Sequence, residues 1–188
     1  MSWILKAAKA ELAGATSAHA IAVGFSKDSD SNFSFFAPAS LISEIEKYFD
    51  VELTDELSFF APTGKAGELF EIPVSANNSL TDRLFLVGLG DSSTASMRVA
   101  ATSIARKVRG KNTTVYSACA IKDEDIKAHA IALTLGAYLW SLKTGEPAGI
   151  PTFLVATNDK ELINDSLSTA KAITRARDLV HRNSAQIS

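Results

Sequence analysis

The sequence predicts an α/β domain of three layers (α/β/α), in which helices cover both faces of a mixed, mostly parallel sheet. After residue 83, segments typical of buried strands alternate three times with amphipathic helical segments, and such alternation is typical of a parallel sheet. Before it, residues 59–74 have the pattern of a hairpin, which predicts antiparallel strands at one edge. The 188 residues are 46% hydrophobic, which suits one globular domain with a substantial core.

The first half of the chain contains fewer periodic segments. Residues 3–12 are rich in Ala, Lys, Leu and Glu, so we expect a helix there. Residues 18–25 (AHAIAVGF) are apolar and predict a buried strand, with a polar loop after it at 27–32. Residues 41–49 have their apolar side chains at helical spacing and predict a helix capped by Ser40.

The second half alternates regularly. The predicted elements are a strand at 83–89, a helix at 94–109, a strand at 113–120, a helix from 123 to about 142, a strand at 152–157 and a helix at 160–183. Gly110 follows the first of these helices in the usual terminating position. The helix from 123 is apolar on two sides, which predicts that it lies between two neighbours. A break near Asn164 and Asp165 is an alternative for the last helix.

Charge and composition exclude several classes of protein. Lys and Arg (19) nearly balance Asp and Glu (21), so a net charge of -2 gives no general attraction to nucleic acid or anionic membrane. A single cysteine, Cys119, excludes an internal disulfide and suits a reducing cytosol. The first six residues lack the pattern of a secretory signal, and the longest apolar run, 130–140, is shorter than the ~20 residues that cross a bilayer. These features predict a cytoplasmic location.

A glycine-containing turn is the first candidate for a ligand site. Gly88, Gly90, Asp91, Ser92 and Ser93 lie between a predicted strand and helix, where backbone amides can bind phosphate. The dinucleotide fingerprint needs a third glycine where Ser93 stands, and no Gly-Lys-Ser/Thr completes a P-loop. Asp91 adds negative charge at the same place. The pattern therefore favours a tight strand-to-helix turn over a phosphate site.

No metal or catalytic constellation is predicted. His19, His129 and His181 are far apart in sequence and share no ligand spacing. Asp28 and Asp30 lie in a loop without the glycine and distal glutamate of a calcium site. The acids at 123–125 are explained by the start of a helix, whose dipole favours them. Cys119 has the apolar surroundings of an inert core cysteine, and no Gly-x-Ser-x-Gly motif is present.

A basic cluster surrounds the end of the helix at 94–109. It comprises Arg98, Arg106, Lys107, Arg109 and Lys111. Positive residues near a helix C-terminus complement its dipole, which favours a solvated helix end. The functional alternative is a nucleic-acid contact surface, although the interleaved aromatic residues and overall positive charge that would strengthen it are missing.

Three parts of the sequence resemble the N-terminal domain of leucine aminopeptidases, the cytosol aminopeptidase family. The first is Leu-Val-Gly-Leu-Gly at 86–90 with Arg-Val-Ala at 98–100; the second is Gly-Ala-Tyr at 136–138 with Lys-Thr at 143–144. The third is Arg-Asp-Leu-Val at 177–180, which in the family lies on the helix joining the two domains. The family continues with Asn-x-Pro, whereas this chain continues with His-Arg-Asn-Ser, a departure at the junction.

The resemblance, which covers the chain from about residue 60 onward, implies a macro-domain-like fold. The family comparison also places a strand near residues 3–12, as the alternative to the helix that their composition favours. It implies that 1–175 form the N-terminal domain and that 176–188 form the end of a linker helix towards a C-terminal peptidase domain. The family members are cytoplasmic hexamers that remove N-terminal residues from peptides with two divalent metals, manganese or zinc among them. Because the family's metal ligands and catalytic residues lie in the C-terminal domain, the chain alone is expected to be inactive.

Two other functions remain as alternatives. One is a stand-alone macro-like module that binds ADP-ribose or another nucleotide at residues 88–93. The other is a DNA-contacting regulatory domain that uses the basic cluster, since the front domain of some bacterial family members contributes to DNA binding. If instead the chain is the N-terminal domain of a leucine aminopeptidase, its partners are its own C-terminal domain, further copies of the chain and peptide substrates.

Overall fold

A mixed β-sheet runs through the centre of the protein in the computed structural model, which describes residues 4–139 and 148–181. Within these residues the strands are β1 (Ile4–Ala8), β2 (Ala20–Lys27), β3 (Phe33–Phe35), β4 (Leu69–Pro73), β5 (Arg83–Gly88), β6 (Thr114–Ala118) and β7 (Thr152–Ala156). Their order is β1-β7-β6-β2-β5-β4, and β3 pairs with β2. The pairs from β1 to β5 along this order are parallel, whereas β4 and β3 are antiparallel to their neighbours.

Helices cover both faces of this sheet. They are α1 (Leu12–Ala15), α2 (Ala39–Phe49), α3 (Leu53–Phe60), α4 (Thr94–Val108), α5 (Asp123–Gly136) and α6 (Lys160–His181). The first three pack into the core on one face, and the last three pack into the core on the other. The protein is therefore an α/β/α domain with a mixed, mostly parallel sheet, as the sequence predicts.

The alternation of side chains in β2 supplies both cores. Ile21, Val23 and Phe25 are fully buried on the face that α2 and α3 cover. Ala20 and Ala22 lie on the opposite face, where they contribute to the core that contains α4. Since successive residues of a strand point to opposite faces, an uninterrupted apolar strand is what a sheet covered on both sides requires.

Several elements agree with the sequence patterns. The strands at 20–27, 83–88, 114–118 and 152–156 lie where buried strands are expected. Helix α5 packs against both α4 and α6, which confirms that it lies between two neighbours. Gly110 follows α4 with φ +81°, the left-handed conformation of a terminating glycine. Helix α6 is continuous across residues 164–165, so the alternative of a break there is wrong.

The helix expected from the composition of residues 3–12 is wrong, and the alternative, a strand near these residues, is confirmed. Residues Ile4–Ala8 form β1, which pairs in parallel with β7, and Leu5 is buried. Helix propensity amounts to less than about 1 kcal/mol per residue, so pairing with a distant strand outweighs it. A helix does form next to this strand, but only as the single turn Leu12–Ala15.

The hairpin expected at residues 59–74 is also wrong. Phe59 and Phe60 end helix α3, and β4 pairs with β5 rather than with a preceding strand. The antiparallel edge strand is real, but its partner lies after it in the sequence. Ser40 does not cap α2, since that helix begins at Ala39. Helix α5 ends at Gly136, short of the expected 142, and residues 140–142 and 182–183 lie outside the described part of the chain.

Candidate functional site

The turn predicted as a ligand loop lies at the carboxyl edge of the sheet. Gly88 is the last residue of β5, and Ser93 occupies the N-cap position of α4, where its side chain accepts a hydrogen bond from the Ser96 amide. Gly90 and Ser92 both have left-handed backbones, with φ of 56° and 59°. The structure therefore brings the five predicted residues together in one tight strand-to-helix turn.

Much of the hydrogen-bonding capacity of this turn is used by the chain itself. The Gly88 amide donates to the Glu68 carbonyl at 2.7 Å, and the Gly90 amide donates to the Gly64 carbonyl at 3.1 Å. A Cβ atom at Gly88 would lie 2.3 Å from the Lys65 carbonyl oxygen, so only glycine allows this close approach. Residues 64–68, before β4, thus occupy the amides of Gly88 and Gly90, which are not available to a phosphate.

The Asp91 carboxylate occupies the amino end of α4. Its Oδ1 accepts hydrogen bonds from the Ser96 hydroxyl at 2.6 Å, the Ser93 hydroxyl at 2.7 Å and the Ser93 amide at 3.0 Å. These bonds, that from Ser96 first, lower the pKa of Asp91 to about 2. An anion approaching the turn would therefore meet a negative charge that is present at all ordinary pH values.

The basic cluster is divided by the fold. Lys107 and Lys111 line a cavity at the opposite end of α4, whereas the three arginines of the cluster do not. The Lys107 ammonium lies 2.6 Å from the Glu71 carboxylate, so part of its charge is already compensated. Two of the five members of the cluster therefore share this cavity, and one of them is already paired with a carboxylate.

We call this cavity the amino-edge cavity, because it lies where the parallel strands β2, β5 and β6 begin. Its volume is about 290 Å³, and it is lined by His19, Ala20, Glu71, Asp82, Arg83, Phe85, Lys107, Val108, Lys111 and Thr113. Sequence reasoning missed most of these residues because they come from five separate segments. Some of them could have been found from their positions in the sequence, because residues that come just before adjacent parallel strands lie together at one edge of the sheet.

Glu71 organises the charges of the cavity. Its Oε1 lies 2.7 Å from Arg83 Nη1, and its Oε2 lies 2.6 Å from Lys107 Nζ. The hydrogen bond from Lys107, with a further contribution from Arg83, holds the pKa of Glu71 below its usual range. Arg83 also lies 3.5 Å from Asp82 through Nε. One carboxylate thus holds two cationic side chains side by side.

The histidines do not converge on a common site. His129 is fully buried on α5, where its ring nitrogens lie 2.8 Å from the Ser117 hydroxyl and 3.3 Å from the Met97 carbonyl. Burial lowers its pKa to about 4, so it is neutral at pH 7. His19 is exposed at the start of β2, and the side chain of His181 lies outside the described residues. Across residues 4–139 and 148–181, no three metal-ligating side chains are grouped to hold an ion.

The other residues considered for chemistry have structural environments. Cys119 is buried with its Sγ 3.7 Å from a backbone carbonyl, and burial raises its pKa to about 12. Asp28 accepts hydrogen bonds from the amides of Asp30 and Asn32 within its own loop. Asp125, in the first turn of α5, accepts a hydrogen bond from the start of α4. None of these groups is an activated nucleophile or an uncommitted ligand.

Two of the segments that carry the family resemblance contact each other. The Tyr138 hydroxyl, just after α5, donates a hydrogen bond to the Asp178 carboxylate on α6. Burial and this carboxylate raise the pKa of Tyr138 to about 12. The two residues that follow Asp178 on α6 are apolar and exposed, Leu179 at 48% and Val180 at 83%. The helix is therefore anchored near its end, and apolar side chains follow the anchor.

Sequence comparison matches residues 38–143 to the profile described as the cytosol aminopeptidase family, N-terminal domain. Among curated proteins no match is found. No helix within 4–139 or 148–181 has both the length and the apolar character that a membrane span requires.

Solved structures share the fold at low sequence identity. The bottromycin maturation enzyme BotP matches with a TM-score of 0.65 and 20% identity over 92% of this chain and 34% of that one. A tomato leucine aminopeptidase variant matches with 0.66 and 15% identity, over 96% and 38% of the two chains. The macro domain of ganglioside induced differentiation associated protein 2 matches with 0.56 and 9% identity, over 90% and 84%. The chain thus spans about a third of the length of the two enzymes, and its fold is macro-domain-like.

Proposed function

Since the chain belongs to the cytosol aminopeptidase family and corresponds to its N-terminal domain, we propose that it is the non-catalytic part of a leucyl aminopeptidase. In this proposal, a C-terminal peptidase domain removes N-terminal residues from peptides. Two divalent metals in that domain, manganese or zinc, would activate water and polarise the peptide carbonyl. The enzyme would be a cytoplasmic hexamer, in which this domain contributes to assembly or regulation.

The end of α6 is the observation that carries the proposal. Ile163, Ser166, Ala170 and Thr174 form a buried stripe that holds the helix on the domain. Beyond them the helix continues to His181 with its apolar residues exposed, which suits a helix that continues into a second domain. The proposed boundary, with 1–175 as the domain and 176–188 as the linker end, therefore falls within one continuous helix.

The donor groups of the chain support placing the metals elsewhere. Zinc and manganese sites need several convergent imidazole or carboxylate ligands. Such a group is missing from the described residues, and His129 is fully committed inside the core. A structural match is a manganese complex of BotP, which shows that metal for that enzyme. For this chain, manganese remains part of the proposal for the peptidase domain.

The purified 188-residue chain is expected to show no hydrolysis of leucyl p-nitroanilide above buffer, with either manganese or zinc added. A metal-loaded leucine aminopeptidase assayed in parallel is the positive control. Metal-dependent turnover by the chain, retained through successive purification steps, would contradict the proposal.

Sequencing the gene past the codon for Ser188 gives the second test. We expect an open frame that encodes a peptidase domain, and a stop codon there would refute this function.

The likeness to a macro domain supports a second candidate, a module that binds ADP-ribose at residues 88–93. The occupied amides and the Asp91 charge weigh against it. Calorimetric titration with ADP-ribose distinguishes the two: a saturable heat would support the module, and a flat titration with an unchanged melting temperature would remove it. Asp91→Asn is the matched variant, because loss of its charge should strengthen any phosphate binding at this turn.

A further inference from the structure

We propose that the amino-edge cavity binds a small phosphate-type oxyanion, either inorganic phosphate or the terminal group of a phosphate monoester. The cavity lies at the opposite end of α4 from the turn at residues 88–93 and shares no residue with it. The inference concerns this chain alone and does not depend on the proposed peptidase function.

The lining provides more hydrogen-bond donors than acceptors. Arg83 and Lys107 each give one donor to Glu71, while a guanidinium carries five N–H groups and an ammonium carries three. Lys111 has no ion-pair partner among the described residues. Donors of two or more cationic side chains therefore remain available around one small volume.

His19 adds a neutral donor. The Thr114 amide donates to His19 Nδ1 at 3.1 Å, so Nδ1 serves as the acceptor of the neutral ring. The ring proton is then on Nε2, which is a donor. The hydrogen bond from the Thr114 amide thus favours the His19 tautomer with its proton on Nε2, which can donate to an anion.

The carboxylates of the lining are already paired. Both oxygens of Glu71 are in contact with cations, and Asp82 lies beside the Arg83 Nε. Three cationic side chains face two carboxylates, which leaves one positive charge uncompensated. An oxyanion would neutralise this charge, and its oxygens would accept the remaining N–H donors.

The cavity is large enough for a small anion and has an apolar floor. Its volume of about 290 Å³ exceeds that of a phosphate ion, and its floor includes the buried side chains of Ala20, Phe85 and Val108. Charge interactions beside such an apolar floor are stronger than in bulk water. The left-handed turn at Gly110 returns the chain so that Lys111 reaches the cavity that Lys107 also lines.

The test is calorimetric titration of the 188-residue chain with inorganic phosphate, with sodium chloride added to keep the ionic strength constant. We expect saturable one-to-one binding with a dissociation constant of about 1 mM. Lys111→Gln should weaken it about tenfold, the usual effect of losing a hydrogen bond to a charged group. Lys111 is exposed, so this variant is expected to fold, and circular dichroism verifies it.

Arg98→Gln is the matched control, since it removes the same charge from an exposed position of α4 outside the cavity. It should leave phosphate binding within about twofold of the parent, because screened charges at a distance contribute little. Equal weakening by both variants would overturn the proposal, since only the net charge would then matter. No saturable binding at tens of millimolar phosphate would also overturn it.

Two further ligands distinguish the source of the anion. Tighter binding of glycerol phosphate than of inorganic phosphate assigns the site to a monoester, and equal binding assigns it to the free ion; both support the proposal. Duplex DNA is the third arm. If DNA binds in a Lys111-dependent manner while phosphate neither binds nor competes, the cavity is part of a nucleic-acid surface and the proposal is wrong.

Discussion

Replacing Gly88 with alanine is expected to lower the free energy of unfolding by about 3 kcal/mol, the upper range for overpacking in a rigid interior. The added Cβ would lie 2.3 Å from the Lys65 carbonyl oxygen, a backbone atom that cannot rotate away. The Gly88 amide and carbonyl are both bonded to the same covering segment, through Glu68 and Gly67. Urea denaturation followed by circular dichroism measures the change.

Gly110→Ala is the control for this substitution. At Gly110 the nearest atom to an added Cβ, Leu139 Cδ1, is 3.8 Å away, so space is available. Its φ of +81° is strained for alanine, which should cost about 1 kcal/mol. If Gly88→Ala costs no more than Gly110→Ala, the close approach at residue 88 does not constrain the fold.

The stability of the protein is expected to fall by up to about 3 kcal/mol between pH 6.5 and pH 4 through His129 alone. This side chain is buried in the neutral form, and burial lowers its pKa to about 4 from the ordinary 6.5. Above pH 6.5 both folded and unfolded states are neutral, so there is no effect. Between pH 6.5 and pH 4 the unfolded state binds a proton that the folded state does not, so the free energy of unfolding falls as the pH is lowered. Below pH 4 both states bind the proton, and the fall ends.

His129→Gln isolates this contribution from that of the other acidic and basic groups. The variant should be less stable at neutral pH, because the contacts to Ser117 and Met97 are altered. Its stability should nevertheless depend less on pH across the window from 6.5 to 4. Urea denaturation of both proteins at several pH values gives the comparison. An identical pH dependence in the two proteins would show that His129 is already protonated, or accessible to protons, in the folded state.

The part of the fold after residue 83 could be predicted from the sequence because each element there carries its own periodicity. Strand β5 is a continuous apolar run, and α4 begins at the capping residue Ser93 and ends just before Gly110. Such signals are local, so they can be recognised without knowing which other elements each strand or helix contacts. The parallel arrangement then follows from the alternation of strands and helices.

The opening strand could not be predicted in the same way. The segment Ile4–Ala8 (ILKAA) contains residues that favour helices, and it becomes a strand because β7, almost 150 residues later, pairs with it. The error at residues 59–74 has the same origin. The turn residues at 62–65 do lie in a loop, but whether β4 pairs backward or forward is decided by contacts with β5. Pairing between distant segments leaves no local pattern to read.

The two candidate sites also differ in whether they are formed by one local segment or by segments that are distant in sequence. The turn at residues 88–93 is one contiguous segment, so its position at the start of α4 could be predicted, although its contact with residues 64–68 could not. The amino-edge cavity depends on Glu71, Arg83 and Lys107, which belong to three elements. Only the sheet order brings them within hydrogen-bonding distance of one another.

The number of residues in helix α6 determines the direction in which any segment attached after His181 would point. The helix is held on the domain by its buried stripe and by the contact between Tyr138 and Asp178, and it continues without interruption for 22 residues. Each residue of an α-helix advances the chain by about 1.5 Å and turns it by roughly 100°. Lengthening the exposed end by one residue would therefore swing an attached body through more than a quarter of a circle while hardly changing its distance. If α6 joins a peptidase domain as proposed, its length would set which face of that domain is presented to this one.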